Sequence, residues 1–344
     1  MAPRPGGKDY AGEARNRGGP EEVDISRGHR WFILVAVLVV VLAVASAARL
    51  PEPFARPAPN PKWANITEEP VLNVYMSDTG AVERMKFEDY IEGVVAAEMD
   101  PDWPLEALKA QAIVARTFTL DQLQRTGGVA DRRPGADVST DPDEFQAFDA
   151  SRVNENVRRA VRETRGLVIT YRGWPVRAWF HSDAGGVTAE PREGLGSQAA
   201  DAGTLPYLRC VAVPWTAPDT EWTASFTKEE VRRAAAEVGR DPGDFTSVAI
   251  GKKGPSGRAL EISLGGSAVP APEFRLALDP RRMKSTLLTS LRLEGGRVVM
   301  TGRGNGHGEG LSQHAARAMA SQGQKAEDII RFFFRGVDIK KMWP

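Results

Sequence analysis

GVVAAEMDPDWPLEALKAQAIVAR, residues 93–116, carries an acid at the end of one helical pattern and opens an alanine-rich second one. Just upstream, Phe87, Tyr90, Ile91, Val94 and Val95 recur at the three- and four-residue spacing of an amphipathic helix, and position 98 is next on that stripe. The residue there is Glu98, and Pro101 forbids the helix from continuing. A carboxylate at the end of an apolar face is either a solvated helix end or a partly desolvated acid. Desolvation and the negative end of the helix dipole both disfavour the charged form, which is how a glutamate becomes a general acid near neutral pH.

A second helix is expected after Trp103, with Pro104 in its first turn and Leu105, Leu108, Ala112, Ala115 and Thr119 on one face. Its alanines permit close helix approach. Arg116 lies toward the side of that face and is read either as a surface cation or as a fixed donor near Glu98.

The 344 residues hold 45 Lys and Arg against 45 Asp and Glu, so no net field draws the chain to nucleic acid. The single cysteine, Cys210, excludes an internal disulfide framework and multi-cysteine zinc or iron–sulfur sites within one chain.

In chain order, residues 1–30 are rich in Gly, Pro and charge and read as a disordered tail. Residues 31–48, WFILVAVLVVVLAVASAA, are eighteen residues without charge and read as a transmembrane anchor, although Ala45-Ser46-Ala47 also resembles a cleavage site. Basic residues flank both sides, so the positive-inside rule is nearly silent; tail inside and domain outside is the default for one N-terminal anchor. Residues 49–69 are proline-rich and read as a semi-extended linker, and the folded domain is expected over residues 70–338. Residues 71–76 alternate like a strand before the turn Ser77-Asp78-Thr79-Gly80. Residues 126–149 read as an irregular surface loop or rim, and residues 153–161 as a third helix closed by Gly166. A hairpin is expected to turn at Arg172-Gly173. A helix is expected to be capped at Thr227, two strands to join at residues 254–257, and residues 275–278, 285–293 and 297–301 to be turn and strand.

Three further stretches carry polar chemistry. In AWFHSDAGGVTAE, residues 178–190, His181 and Ser182 precede a Gly-Gly pair at a strand end, where a histidine is either structural or a substrate contact. In LPYLRCVAVPW, residues 205–215, Tyr207 and Arg209 share one side of an extended segment, and packing or a groove would each explain them. In GRGNGHGEGLSQHAARAMASQG, residues 302–323, glycine alternates from 302 to 310 before a helix near Ser312. That pattern is either a groove floor with His307 projecting from it or a tight β-arch packed on the final helix. It is neither a P-loop nor a dinucleotide fingerprint, because the spacing is wrong and no P-loop lysine is present.

GVVAAEM and LEALKAQAIVART resemble, almost letter for letter, the first motif of the stage II sporulation protein D (SpoIID) family, whose relatives include amidase enhancers of the LytB type. The segments at 178–190, 205–215 and 302–323 continue the likeness, as does the tail AEDIIRFFFRGVDI, with Ile329, Ile330, Phe333 and Phe334 inward and Gly336 ending its helix. Gly306, His307, Gly308, Gly310, Ser312 and Gln313 match the third motif. Glu309 stands where a small apolar residue is usual, His314 where an aromatic is usual, and Ala315 where glycine is usual.

The resemblance covers about residues 70–338 and implies a bacterial peptidoglycan lytic transglycosylase acting on glycan strands stripped of stem peptides, in sporulation or engulfment. It implies Glu98 as sole acid and base, with Arg116, Tyr207, Arg209 and His307 positioning it or the glycan, and His181, Ser182, Ser312 and Gln313 as further substrate contacts. No cofactor is implied. Some relatives carry a Cys/His metal cluster after the counterpart of His181, but no Cys or His occurs here in the next twenty-five residues, so no metal site is expected. The expected fold is α+β: helices on twisted, mostly antiparallel sheet, membrane-anchored through residues 31–48, extracytoplasmic, with a groove between Glu98 and the glycine segment. Expected partners are peptidoglycan glycan, the membrane, and a cell-wall amidase or sporulation membrane complex. Two other classes stay open: a non-catalytic amidase enhancer and a glycan-binding scaffold.

Overall fold

The computed structural model describes residues 58–202 and 205–344; the expected tail and the anchor at residues 31–48 lie outside them. Among the described residues no helix is long and apolar enough to cross a membrane. The described chain belongs to one unit, Arg56–Pro344.

Helix α1 (Phe87–Glu98) begins where strand β2 (Val82–Lys86) ends, and β2 pairs antiparallel with β1 (Val71–Tyr75). Its apolar stripe is as read from the sequence: Phe87, Tyr90, Ile91, Val94 and Val95 are all fully buried. They pack toward helix α2 (Leu105–Thr126), of which fifteen of 22 residues are buried. A helix so enclosed cannot show a clean polar face, and α2 is the axis around which the domain is built. Gly127 ends it in the left-handed region at φ 76°. Helix α3 (Glu155–Glu163) is capped by Asn154, whose side chain accepts from Val157 N.

Against α2 also lies a small antiparallel sheet of β4 (Leu167–Tyr171), β5 (Trp174–Pro175) and the C-terminal β14 (Asp338–Lys341). The β4–β5 turn uses Arg172 at φ 51° and Gly173 at φ 84°, the two positive angles that a tight hairpin needs. The returning strand, expected at residues 176–180, is instead the two-residue β5 directly after the turn. Phe180 and His181 leave it as β6 (Phe180–His181) and pair in parallel with β13 (Leu311–Ser312).

Between β6 and β13 the chain builds a second apolar cluster. Strands β7 (Glu221–Thr227), β11 (Leu288–Glu294) and β12 (Arg297–Arg303) form one antiparallel sheet, and β8 (Val248–Ile250), β9 (Glu261–Leu264) and β10 (Ser267–Pro270) another. Helix α4 (Lys228–Glu237) carries a full capping box, Thr227 with Glu230. Trp222, Phe226, Val231, Phe245, Ile262, Phe274, Val298 and Met300 fill this core. Residues 275–278, expected as turn and strand, belong instead to helix α5 (Ala271–Leu278): Pro272 fits its first turn, and Phe274 and Leu278, one turn apart, face inward.

The chain closes with α6 (Gln313–Ser321) and α7 (Ala326–Phe333), and Ile329, Ile330, Phe333 and Phe334 are all buried. The fold is thus α+β, with seven α-helices among the described residues and small sheets paired mostly antiparallel. Two expectations need adjustment. Residues 60–63, read as linker, are docked: Trp63 is buried, and its carbonyl accepts from Gln124 Nε2 at 2.9 Å. Residues 126–149 are not simply a rim, because Val138–Ser139 forms β3 in parallel with β1 and residues 146–149 return along α1.

Candidate active site around Glu98

Glu98 is the last residue of α1; Met99 is already extended, at φ −124° and ψ 157°. The carboxyl is half-buried and touches two elements from elsewhere in the chain. Oε1 accepts from Ala147 N at 3.3 Å, and Oε2 accepts from Gln313 Nε2 at 3.4 Å. Burial raises its pKa above the ordinary value of 4.5, and the two hydrogen bonds, which favour the carboxylate, oppose that rise without reversing it.

The Ala147 amide is held there by packing that no sequence period shows. Phe148 stacks on Tyr90 with ring centroids 5.8 Å apart and planes 11° apart. It lies against Gly93 so closely that a Cβ there would be 2.2 Å from its ring. Asp149 N donates to Gly93 O at 3.0 Å, and Gln146 Nε2 donates to Thr119 Oγ1 on α2 at 2.9 Å. Gly93 is therefore a seat for an aromatic ring, and the seated ring delivers a backbone donor to the acid. The one sequence signal for this contact is Phe145 and Phe148, two aromatics in an otherwise Gly-, Asp- and Pro-rich segment.

Gln313 opens α6 and is positioned from behind. Ser312 Oγ accepts from Ala184 N at 3.3 Å, and His314 N donates to Ser182 O at 3.1 Å. The segment carrying His181 and Ser182 is thereby knitted to the start of α6.

The glycine segment folds as the arch. Gly304, Gly306, Gly308 and Gly310 have φ of 81°, 105°, 86° and 75°, so the chain coils rather than extends. At Gly310 a Cβ would sit 1.9 Å from Trp179 O, which makes the close pass of β13 along β6 depend on glycine. His307 is turned into this arch rather than outward. Its Nδ1 accepts from Glu309 N at 3.1 Å, so Nε2 carries the proton and donates to Phe180 O at 2.8 Å. Burial holds its pKa down to about 3, leaving a neutral, locked ring. His181 packs edge-on to it at 5.5 Å, donates from Nδ1 to Glu309 O, and is kept neutral chiefly by burial.

Two residues expected to position the acid lie in the core instead. Arg116 is fully buried and bonds Glu88: Nη2 to Oε2 at 2.6 Å and Nε to Oε1 at 3.1 Å, with Nη1 on Leu167 O at 3.0 Å. Glu88 also accepts from Gly166 N and Trp343 Nε1, so this pair joins both helices to the C-terminus. Tyr207 is fully buried, its hydroxyl accepting from Arg177 N at 2.9 Å and its ring 5.5 Å from Tyr171. Arg209 is partly exposed, 3.7 Å from Glu190 Oε2.

Glu309, where the sequence departs from the expected small residue, is fully buried. Its Oε1 accepts from Gly194 N at 3.1 Å and Leu195 N at 3.0 Å. Burial pushes its pKa to about 7. It fastens the loop before residue 196 to the arch and bears no direct relation to Glu98.

Residues 75–171, which include Glu98, Gly93 and Phe148, match the family model described as Stage II sporulation protein (SpoIID). An uncharacterized protein of Brachyspira hyodysenteriae is 32% identical over 260 residues, covering 75% of this chain and 67% of its own length. Stage II sporulation protein D of Bacillus amyloliquefaciens is 28% identical over 342 residues, 90% of this chain and 95% of the relative. The amidase enhancer of Bacillus subtilis is 26% identical over 304 residues, 72% of this chain and 40% of that protein. With the motifs at 93–116 and 302–323 joined at Glu98 through Gln313, the chain belongs to the stage II sporulation protein D family.

Proposed function

We propose that the protein is a peptidoglycan lytic transglycosylase that uses Glu98 as its general acid and base. One observation carries this reading: a half-buried carboxyl with a raised pKa, held by two donors from distant segments. A glycosidase that works through water or a covalent intermediate needs two carboxyl groups at a set separation. A lytic transglycosylase needs one, because the sugar supplies its own nucleophile. Protonated Glu98 gives its proton to the glycosidic oxygen as the bond from that oxygen to C1 of the muramyl residue breaks. The resulting carboxylate then takes the proton of the C6 hydroxyl as O6 bonds to C1, giving a 1,6-anhydro end. Both steps suit an acid whose protonated form is favoured by burial and whose carboxylate finds two donors waiting.

In this reading the substrate is glycan stripped of stem peptides, residues 31–48 anchor the chain, and the domain works outside the membrane in sporulation-type wall remodelling beside a cell-wall amidase. The likeness to a protein named amidase enhancer supports a second reading, in which the surface around Glu98 binds glycan or an amidase without cleaving. Mass spectrometry of glycan strands incubated with the full-length chain in detergent separates them. The first reading predicts 1,6-anhydro ends from the wild type and none from Glu98→Gln. Stimulation of an amidase, equal for both proteins and without anhydro ends, supports the second.

A further inference from the structure

One helical turn beyond Gln313, on the same side of α6, stands Arg317. Its guanidinium lies 5.1 Å from the ring centre of Trp103, and Trp103 sits in the short connection that follows Glu98. His314 packs edge-on to the same indole at 5.2 Å. Trp103 and His314 are half-buried, and Arg317 is exposed. Asp219 pairs with Lys284 at 3.2 Å, Asp102 accepts from Asn154 Nδ2 at 3.1 Å, and Asp183 is buried with Oδ1 accepting from Gly185 N. Arg317 has no carboxylate partner among the described residues. The fully buried arginines Arg116 and Arg258, by contrast, have their guanidinium groups hydrogen-bonded within the protein.

An arginine laid on an indole and left without an acid is a pre-oriented carboxylate receptor: the ring fixes the plane of the guanidinium and leaves its edge donors free. Stripping the stem peptide from a muramyl residue breaks the amide at its lactyl group and leaves a carboxylate there. That group hangs from C3 through its ether oxygen, two carbons round the same ring from the scissile C1. Arg317 stands one helical turn along α6 from Gln313, whose side chain touches Glu98, so a sugar with C1 at Glu98 can present that group to it. We propose that Arg317, seated on Trp103, binds the lactyl carboxylate of stripped glycan and so selects strands an amidase has already processed. The inference rests on the glycan reading of Glu98.

The test measures binding to the full-length Glu98→Gln protein by calorimetry. The probes are two tetrasaccharides of alternating N-acetylglucosamine and N-acetylmuramic acid, one with free lactyl carboxylates and one with those groups converted to methylamides. The carboxylate form is expected to bind about tenfold more tightly, as a charge-assisted pair on a half-exposed site allows. Adding Arg317→Gln should bring the ratio to about one without weakening the methylamide form; Arg317→Lys should keep part of it; Trp103→Ala should weaken both ligands. Circular dichroism melts check that each variant is folded. A ratio that survives Arg317→Gln, or a ratio of one in the Glu98→Gln protein itself, overturns the proposal. If neither probe binds and the wild type makes no anhydro ends, the glycan reading itself fails, which is a different result.

Discussion

Arg116 and Glu88 meet inside the domain, Nη2 to Oε2 at 2.6 Å, with the arginine fully buried and the glutamate 7% exposed. The pair links α1 and α2, and through Glu88 the C-terminal Trp343. Removing one member leaves the other's charge buried and uncompensated. Arg116→Ala is therefore expected to cost about 3–5 kcal/mol of stability, read as a lowered urea midpoint. The pH profile of whatever protein remains folded should be unchanged. A shifted profile with normal stability would instead place Arg116 in the chemistry.

Gly93 and Phe148 make the opposite kind of contact, one that serves the site more than the core. A Cβ at position 93 would press into the ring at 2.2 Å. Gly93→Ala should displace the segment carrying the Ala147 amide and lower kcat by about a hundredfold, the loss a misplacement of ~1 Å can bring. Phe148→Ala in the Gly93→Ala background removes the clash, and the pair should lose less stability than the sum of the single changes. Thermal melts and steady-state rates check both parts.

The charge on Glu98 has a sign that can be tested without substrate. Its pKa is raised by burial, so the folded state binds more protons than the unfolded state between the ordinary value of 4.5 and the raised one. Stability from this group is therefore lost as pH rises through that window. Glu98→Gln should be more stable than wild type at pH 7–8, and the difference should vanish below the ordinary carboxylate range. Activity should fall on the alkaline side as the acid loses its proton. Gln313→Ala removes a donor to the carboxylate and should move that alkaline limb upward.

Glu309 obeys the same sign. The step from 4.5 to about 7 corresponds to on the order of 3 kcal/mol of stability, present below the lower value and lost as pH rises to the upper one. Glu309→Gln should flatten most of the stability slope between about pH 4.5 and 7, measured by chemical denaturation across that range. A slope unchanged by the substitution would show that the buried carboxyl does not titrate there.

The helices that carry the acid were legible because their period is strong: the stripe from Phe87 to Val95 runs straight to Glu98, and Pro101 and Pro104 mark the break. What joins them was not. Glu88 reads as an ordinary acid in a first helical turn, and only the fold brings Arg116, Gly166 and Trp343 onto it. Ala147 donates through its backbone, a group every residue but proline has, so its identity carried no signal. The reading of Tyr207 and Arg209 on one side of an extended segment fails at a turn: Leu208 N donates to Leu205 O across Pro206 and Tyr207. Burial, which alternation cannot assign to a side, put the tyrosine in the core and the arginine toward solvent. Residues 275–278 misled because a two-turn helix behind a proline offers too few positions to show its period. The alternating glycines suggested a strand, whereas positive φ at every second residue from Gly304 to Gly310 makes a coil whose interior holds His307.

The most direct measurement is the product of full-length protein acting on stem-peptide-free glycan strands, scored by mass spectrometry for 1,6-anhydro ends. General acid–base catalysis by Glu98 predicts such ends from the wild type and their loss in a Glu98→Gln protein that is equally or more stable. Anhydro ends formed at the wild-type rate by Glu98→Gln, or none from either protein while both bind the glycan, would contradict it.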